Sequence, residues 1–182
     1  MYKGTLVTLR ELRVSDSEIC KTWVNDLEMA YQIYGGAPMP FTVENERDFI
    51  SRVSGRQNNQ NHFAIEDPAG NFIGVCSYSE VNWHSRNCMI GWFIGDKNSR
   101  GKGYGTDMIK LLLKICFEEL DLHKVSLNAF AYNEKAVRLY DRLGFVREGV
   151  FRQHVHAMGR RWDEIRWSML KTEYQSLYGG EN

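Results

Sequence analysis

Apolar and polar residues alternate along seven short segments of the chain, and a period of two is the pattern of a β-strand with one buried face. In chain order these segments are residues 5–10, 62–66, 71–80, 87–94, 124–130, about 145–153 and about 162–170. Turn-forming residues at 67–71 and 83–86 separate the second, third and fourth segments, and Met158-Gly159 separates the last two. The pattern therefore predicts an antiparallel meander, followed later in the chain by a hairpin.

Cap signals, together with apolar residues spaced three and four apart, predict four helices. Their expected bounds are 15 to about 25, 42 to about 55, 106–120 and 134–142. Ser15 with Glu18 three places on is the start signal of the first helix, and Asn133 and Gly144 bracket the last. Residues 31–41 contain two of the three prolines and a glycine pair, which predicts a loop.

The order of these elements, β-α-α-β-β-β-α-β-α-β-β, predicts an α/β fold with a mixed, mostly antiparallel sheet flanked by helices. The chain has 182 residues, of which 43% are hydrophobic. That length and that apolar fraction suit one hydrophobic core. We therefore expect a single domain over residues 1–182.

Charge and cysteine usage narrow the class of partner. Lys and Arg together number 23, as do Asp and Glu, so the formal net charge is zero. This balance argues against nucleic acid or a membrane as the main partner.

The four cysteines form no CxxC pair and no signal-peptide pattern follows Met1, so we expect buried, reduced thiols in a cytoplasmic protein. His154 and His156 have no third ligand at a suggestive spacing, and no metal site is predicted.

A glycine-rich segment between a predicted strand and a predicted helix carries the strongest chemical signal. It consists of Arg100, Gly101, Lys102, Gly103, Tyr104, Gly105 and Thr106. Glycines let the backbone approach a ligand closely, and the free N–H groups that open the next helix attract an anion. Arg100 and Lys102 add positive charge. The segment therefore predicts a diphosphate site, and a turn that only reverses the chain is the alternative.

Two common diphosphate motifs do not fit this segment. In a Walker loop, Gly95 would be one residue too far from Gly101, and Gly103 stands where a Ser or Thr would bind magnesium. A dinucleotide fingerprint requires a different glycine offset and a surrounding βαβ unit, whereas hairpin-like strands precede this loop.

A second motif, centred on a tyrosine, follows about 30 residues after the loop. Its members are Asn133, Ala136, Leu139, Tyr140, Leu143, Gly144 and Phe145. Helix caps and one buried helical face account for most of them. Tyr140 is harder to explain in this way, because a short helix after a strand is suited to bring its phenol to the ligand-facing edge of the sheet.

Together the two motifs resemble the GNAT superfamily of N-acetyltransferases. The phosphate-loop pattern of that superfamily, Gln/Arg-x-x-Gly-x-Gly/Ala, is matched by Arg100, Gly103 and Gly105. Its later signature is matched by Asn133, Ala136, Leu139, Tyr140, Gly144 and Phe145. The similarity extends over nearly the whole chain. It is strongest to the branch that contains ribosomal-protein N-terminal and spermidine/diamine acetyltransferases.

The resemblance implies that acetyl-CoA is the cosubstrate and lies in a V-shaped gap between the strands 87–94 and 124–130. Backbone N–H groups from Arg100 to Thr106 would hold its pyrophosphate. Its pantetheine arm would pair with the backbone of three residues, Trp92, Phe93 and Ile94. One of their N–H groups would also polarise the thioester carbonyl.

The resemblance also implies roles for two side chains in a direct attack of an amine on the thioester. Asn133 would bond the cofactor arm. Tyr140 would protonate the leaving thiolate, because a phenol with a pKa of about 10 stays protonated at neutral pH.

The sequence leaves three alternatives for the general base that deprotonates the amine. Many members of the superfamily carry Glu at the strand position where this chain has Met89. Glu80 and His84 are candidate replacements, although a solvated strand end and an ordinary turn residue are the plainer explanations of the two. A relay of ordered water is a third alternative.

The expected acceptor is a primary amine: a protein N-terminus, a polyamine or a small amino compound. The candidate walls of its pocket are five aromatic residues, which could equally belong to the core: Tyr31, Tyr34, Phe41, Trp83 and Trp162. Asp26 and Glu28 either attract a cationic amine or belong to a solvated loop. A CoA-binding or regulatory module without turnover is the rival function, and a homodimer is a further expectation.

Overall fold

A computed structural model of the chain describes residues 1–36, 40–55 and 59–179, and these residues form one eight-stranded sheet flanked by helices. The strands are β1 (Tyr2–Lys3), β2 (Thr8–Glu11), β3 (Asn61–Glu66), β4 (Phe72–Asn82), β5 (Asn87–Ile94), β6 (Lys124–Phe130), β7 (Val146–Ala157) and β8 (Arg160–Leu170). The α-helices are α1 (Ser17–Val24), α2 (Leu27–Tyr34), α3 (Val43–Val53), α4 (Tyr104–Lys114), α5 (Glu134–Arg142) and α6 (Lys171–Tyr178). Short 3₁₀ turns cover Val14–Asp16 and Lys97–Ser99, and a π-turn, Ile115–Glu119, ends α4.

The strand order is β1-β2-β3-β4-β5-β6-β8-β7. In the part of the chain that the structure describes, β5 and β6 are the parallel neighbours and the other pairs are antiparallel. The predicted α/β class with a mixed, mostly antiparallel sheet is confirmed. The order also places β8 between β6 and β7, because β8 pairs with the full length of β6.

Each face of the sheet has its own hydrophobic cluster. Helices α4, α5 and α6 cover one face, with Met108, Tyr140 and Tyr174 among the buried residues. Helices α1 and α3 cover the other face and pack on Ala64 and Val75. The sheet therefore separates the molecule into an α4/α5 side and an α1/α3 side.

The helices near the N-terminus differ from the prediction. Residues 31–34 were expected in a loop but belong to α2, because Asp26 caps this helix by accepting the Met29 N–H at 3.2 Å and Gly35 ends it at φ +71°. The expected start at Ser15 is also wrong. Asp16 instead accepts the Arg13 N–H at 2.8 Å, and a 3₁₀ turn precedes α1.

The second predicted helix begins as expected. Thr42 Oγ1 accepts the Asn45 N–H at 3.2 Å, and Asn45 Oδ1 accepts the Thr42 N–H at 2.9 Å. The predicted 31–41 loop also contains residues 37–39, which lie outside the described residues. Strand β1 and helix α6 were not predicted. The four cysteines are buried and not bridged to one another.

Candidate active site

The parallel pair β5–β6 opens into a gap part-way along its length. Their ladder runs from Asn87–Lys124 to Met89–Ser126, and both strands continue beyond it without pairing to each other. A cleft of about 2000 Å³ extends from this opening and is lined from Ile90 to Ile94 along β5. The backbone edge of β5 is thereby left available to a ligand.

The glycine-rich loop forms one wall of this cleft. Gly101 and Gly103 have φ angles of +77° and +88°, which side chains rarely adopt, and Gly103 is the N-cap of α4. The first N–H groups of a helix have no partner within it, so those that open α4 are free to bind an anion. The loop residues that line the cleft are Arg100, Gly101, Gly103, Tyr104, Gly105 and Thr106, while Lys102 is exposed and is not among the lining residues.

Gly105 permits a close contact between α4 and β5. A Cβ atom at this position would lie 3.0 Å from two ring carbons of Trp92, closer than carbon atoms normally pack. At Gly101, by contrast, a Cβ would meet no atom within 4 Å, so the backbone there faces open space.

Arg100 does not direct its charge at the loop as the sequence suggested. Its Nε donates to the carbonyl oxygen of Ile94 at 3.1 Å, and its Nη1 pairs with Glu28 at 3.1 Å. Its Nη2 lies 2.7 Å from the sulfur of Met29. The guanidinium therefore ties the loop to α2, and Glu28 neutralises it.

Asp26 and Glu28 hold α2 in place. Lys97 Nζ lies 2.7 Å from Asp26 Oδ2 and 3.9 Å from Glu28 Oε2. The hydrogen bond from Lys97 is the main reason that the pKa of Asp26 is lowered. Both carboxylates therefore have partners within the chain.

Tyr140 lies in the gap, buried against the indole of Trp92. Trp92 Nε1 donates to the phenol oxygen at 3.1 Å, and the ring of Trp167 packs edge-on at 5.4 Å. Burial raises the pKa of Tyr140 to about 12, with the Trp92 hydrogen bond acting in the opposite direction. The phenol therefore keeps its proton at neutral pH. No acceptor for that proton is found among the described residues.

Asn133 lines the cleft next to Tyr140 and is the N-cap of α5. Its Oδ1 accepts the Ala136 N–H at 3.3 Å. Its Nδ2 makes no hydrogen bond within residues 1–36, 40–55 and 59–179. The capping role thus leaves an amide donor at the cleft.

The structure does not bring the candidate bases from the sequence into the cleft. Glu80 is exposed, has a φ of +53° at an irregularity between β4 and β5, and is not among the lining residues. His84 is exposed in the following turn and does not line the cleft either. Met89 lies with its sulfur 3.3 Å from Nη2 of Arg166.

Two polar residues that the sequence pattern did not single out line the cleft on the α1/α3 side. Glu46 of α3 is 6% exposed, and burial raises its pKa. Its burial could have been predicted from the sequence, because it lies four residues before Ile50 and seven before Val53, on the apolar face of the helix.

His62 of β3 is the second of these residues. Its Nδ1 is buried without a hydrogen-bond partner, and its ring packs edge-on against Phe49 at 5.6 Å. Burial lowers the pKa of this imidazole, so His62 is neutral at pH 7. Ser77 is its neighbour on β4, and Gly91 follows on β5 in the same register.

The described part of the chain contains neither a membrane-spanning helix nor a metal-binding cluster. None of its helices combines the length and the hydropathy of a membrane span. No group of three or more His, Cys, Asp and Glu side chains in the same residues is arranged to hold a metal ion.

Comparison with known proteins shows that the chain is similar to N-acetyltransferases. A sequence model described as an acetyltransferase (GNAT) domain matches residues 7–146. The spermidine N(1)-acetyltransferase of Vibrio cholerae is 33% identical over 135 residues, which cover 74% of this chain and 78% of that protein. The alanine N-acetyltransferase of ribosomal protein uS5 from Escherichia coli is 26% identical over 123 residues, covering 65% of this chain and 62% of that protein.

Solved structures agree with the sequence comparison. The crystal structure of spermidine N-acetyltransferase from Vibrio cholerae in complex with CoA and spermine has a TM-score of 0.83 to this chain. The two are 27% identical, and the alignment covers 92% of this chain and 97% of the other.

Proposed function

This chain belongs to the acetyltransferase (GNAT) family and is an acetyl-CoA-dependent N-acetyltransferase, and we propose that Tyr140 is the acid of its reaction. The observation that carries the proposal is the buried Tyr140 phenol, which lies beside Trp92 in the gap between β5 and β6. The acceptor is a primary amine that attacks the thioester directly in a ternary complex.

The residues of the cleft fit the parts of acetyl-CoA. Backbone N–H groups of residues 100–106 would hold the pyrophosphate, since positive φ angles at Gly101 and Gly103 leave the start of α4 open. The unpaired edge of β5 at 92–94 would hold the pantetheine arm, and Asn133 would donate its amide to the same arm. Acetyl-CoA supplies the activated acyl group.

Tyr140 would hold a proton at the position of the leaving sulfur. Its raised pKa keeps it protonated before the reaction, and the phenol would donate its proton to the sulfur as negative charge develops there and the bond to the acyl carbon breaks. Trp92 would position the phenol through its indole N–H, and a backbone N–H of β5 would donate to the developing oxyanion.

For the general base we propose a residue other than Glu80 and His84, the two that the sequence predicted. Glu80 is still a predicted base, but its exposed position outside the lining gives that prediction no support. His62 is better placed, because it lines the cleft on the α1/α3 side as a neutral imidazole without a hydrogen-bond partner. We propose that it removes the amine's proton, directly or through water.

The wider assignments remain proposals as well. Relatives named for spermidine and for the alanine of ribosomal protein uS5 support an amine acceptor of either kind. A cytoplasmic location, a single domain over residues 1–182, a homodimer, and no nucleic acid or membrane partner complete the proposal.

The test is a screen of amines in which CoA thiol release from acetyl-CoA is measured. Wild-type protein should release CoA when an amine acceptor is present. Tyr140→Phe should lower kcat about 100-fold, the scale of general acid catalysis, while the KM for acetyl-CoA changes little. Tyr178→Phe is the matched control, because its phenol donates to the Leu143 carbonyl oxygen at 2.8 Å, outside the cleft lining.

The outcomes separate the acid role from the rival function. An unchanged kcat in Tyr140→Phe would remove Tyr140 as the acid. Tight binding of acetyl-CoA without CoA release in the presence of any amine would identify a CoA-binding module instead.

A further inference from the structure

Glu46 is a buried carboxylate without a counter-ion in the cleft. The residue is 6% exposed, and its carboxylate makes no hydrogen bond or ion pair among residues 1–36, 40–55 and 59–179. Asp16 is similarly buried, at 7%, but Arg10 contacts it at 2.8 Å and 3.0 Å. A buried charge without such a partner is costly, so Glu46 has an interaction left for a ligand to satisfy.

The surroundings of Glu46 suit a cation. Tyr34 and Phe41 stack at 5.6 Å and line the same cleft, as does Phe49. The charge of Glu46 contributes to the raised pKa values of Tyr34 and Cys20, which shows that both groups lie near it. Aromatic faces and a carboxylate are together the usual surroundings of an organic ammonium group.

The arginines that line the cleft do not act as a counter-ion for the Glu46 carboxylate. Arg100 of the glycine-rich loop bonds to Glu28 and to the Ile94 carbonyl oxygen. Arg52 lines the cleft and has an interaction of its own. Burial is the cause of the raised pKa of Glu46, and no cation opposes it.

Glu46 and Tyr140 lie on opposite sides of the sheet. Glu46 belongs to α3 on the α1/α3 side, whereas Tyr140 packs in the cluster of the α4/α5 side. Both residues nevertheless line the same cleft, which passes through the gap between β5 and β6. The Glu46 carboxylate and the Tyr140 phenol are therefore two separate polar groups along one cleft.

We propose that Glu46 binds a second, protonated amino group of the acceptor, which makes an aliphatic di- or polyamine the substrate class. This inference rests on the proposed function. Amines with one nitrogen, and protein N-termini without a cationic side chain nearby, would leave Glu46 without a partner and bind more weakly.

The test compares 1,4-diaminobutane with butylamine, which has the same carbon chain and one amino group. In the wild type the KM for the diamine should be the lower of the two. Glu46→Gln should raise the KM for the diamine about 10- to 100-fold, the worth of a charge-assisted hydrogen bond, with little change in kcat. The KM for butylamine and for acetyl-CoA should not change.

Glu44→Gln is the matched control, because Glu44 is an exposed carboxylate on the same helix and does not line the cleft. It should leave all three KM values unchanged. Glu46→Gln should also unfold at the same or a higher temperature than the wild type, since it removes a buried charge. Should that variant fail to fold, Glu46→Asp keeps the charge on a shorter side chain and should raise the KM for the diamine alone.

Two results would overturn the inference. One is an equal KM for both amines in the wild type, and the other is an equal rise for both amines in the variant. The proposed function fails differently, by the absence of CoA release with every amine. Calorimetric titration of 1,4-diaminobutane into the CoA-bound protein tests Glu46 without turnover, and equal affinities of the wild type and Glu46→Gln would then count against it.

Discussion

At the residue scale, the partner of a buried polar group decides what that group can do. Asp16 and Glu46 are almost equally buried, but Arg10 makes Asp16 part of the framework while Glu46 keeps its binding capacity. The Tyr140 phenol accepts from Trp92 and keeps its own proton for another acceptor. His62 is neutral and has an unpartnered nitrogen. The acid, base and cation-binding roles that we propose therefore rest on unsatisfied hydrogen-bonding capacity.

The proposed base gives a prediction on pH dependence. His62 removes a proton only when it is neutral, so activity should fall as the pH drops through its pKa, which burial has lowered. His62→Gln should lower kcat/KM about 10- to 100-fold and remove that acidic limb from the pH profile. Glu80→Gln should leave both unchanged.

The charged residues that line this end of the cleft beside His62 are Glu46, Asp48 and Arg52, and they are the same in both variants. The pH profile of kcat/KM, measured at saturating acetyl-CoA, is the readout. A profile that loses its acidic limb in Glu80→Gln and keeps it in His62→Gln would return the role to Glu80.

At the element scale, the contact between α4 and β5 connects the two halves of the site. The start of α4 carries the N–H groups that we propose bind the pyrophosphate, and β5 carries Trp92, which contacts Tyr140. Gly105 allows α4 to approach the ring of Trp92. A change in this contact should therefore affect cofactor binding and the position of the acid together.

Gly105→Ala tests this coupling. Its Cβ would push on the Trp92 ring at 3.0 Å, and overpacking of this kind should raise the KM for acetyl-CoA about tenfold. It should also lower kcat by displacing the partner of Tyr140. Gly149→Ala is the control, because a Cβ there meets no atom within 4 Å. Normal kinetics in Gly105→Ala would show that the ring can move without consequence.

At the scale of the whole molecule, β7 is the last strand of the sheet and exposes apolar side chains. Val146, Val150 and Phe151 are 51%, 52% and 44% exposed. A strand at the edge of a sheet has backbone groups that can pair with another chain. This feature supports the homodimer that the sequence led us to expect.

The dimer can be tested by sedimentation equilibrium. We expect a dimer for the wild type, and a shift toward monomer for the double variant V150K/F151K, because charges on an edge strand oppose pairing. Lys3→Glu, on β1 at the opposite end of the sheet, is the control for a change of charge. A monomer at every concentration of the wild type would contradict the prediction.

The sequence by itself determined most of the elements, the fold class and the place of the glycine-rich loop, but it missed β1, α2 and α6. These features depend on local signals: a period of two or 3.6, helix caps, and glycines at 101 and 103 that take positive φ. Such signals act between residues close together in the chain. The positions of Tyr140 and Asn133 on one short helix were accessible for the same reason.

Only the tertiary structure decided which distant residues meet. It placed β8 between β6 and β7, turned Arg100 toward Glu28 and left Glu80 outside the cleft. It also joined Trp92 to Tyr140, 48 residues along the chain, and left Glu46 buried without a cation. Pairing across such separations depends on how the two faces of the sheet are packed, and the pattern along one segment does not contain that information.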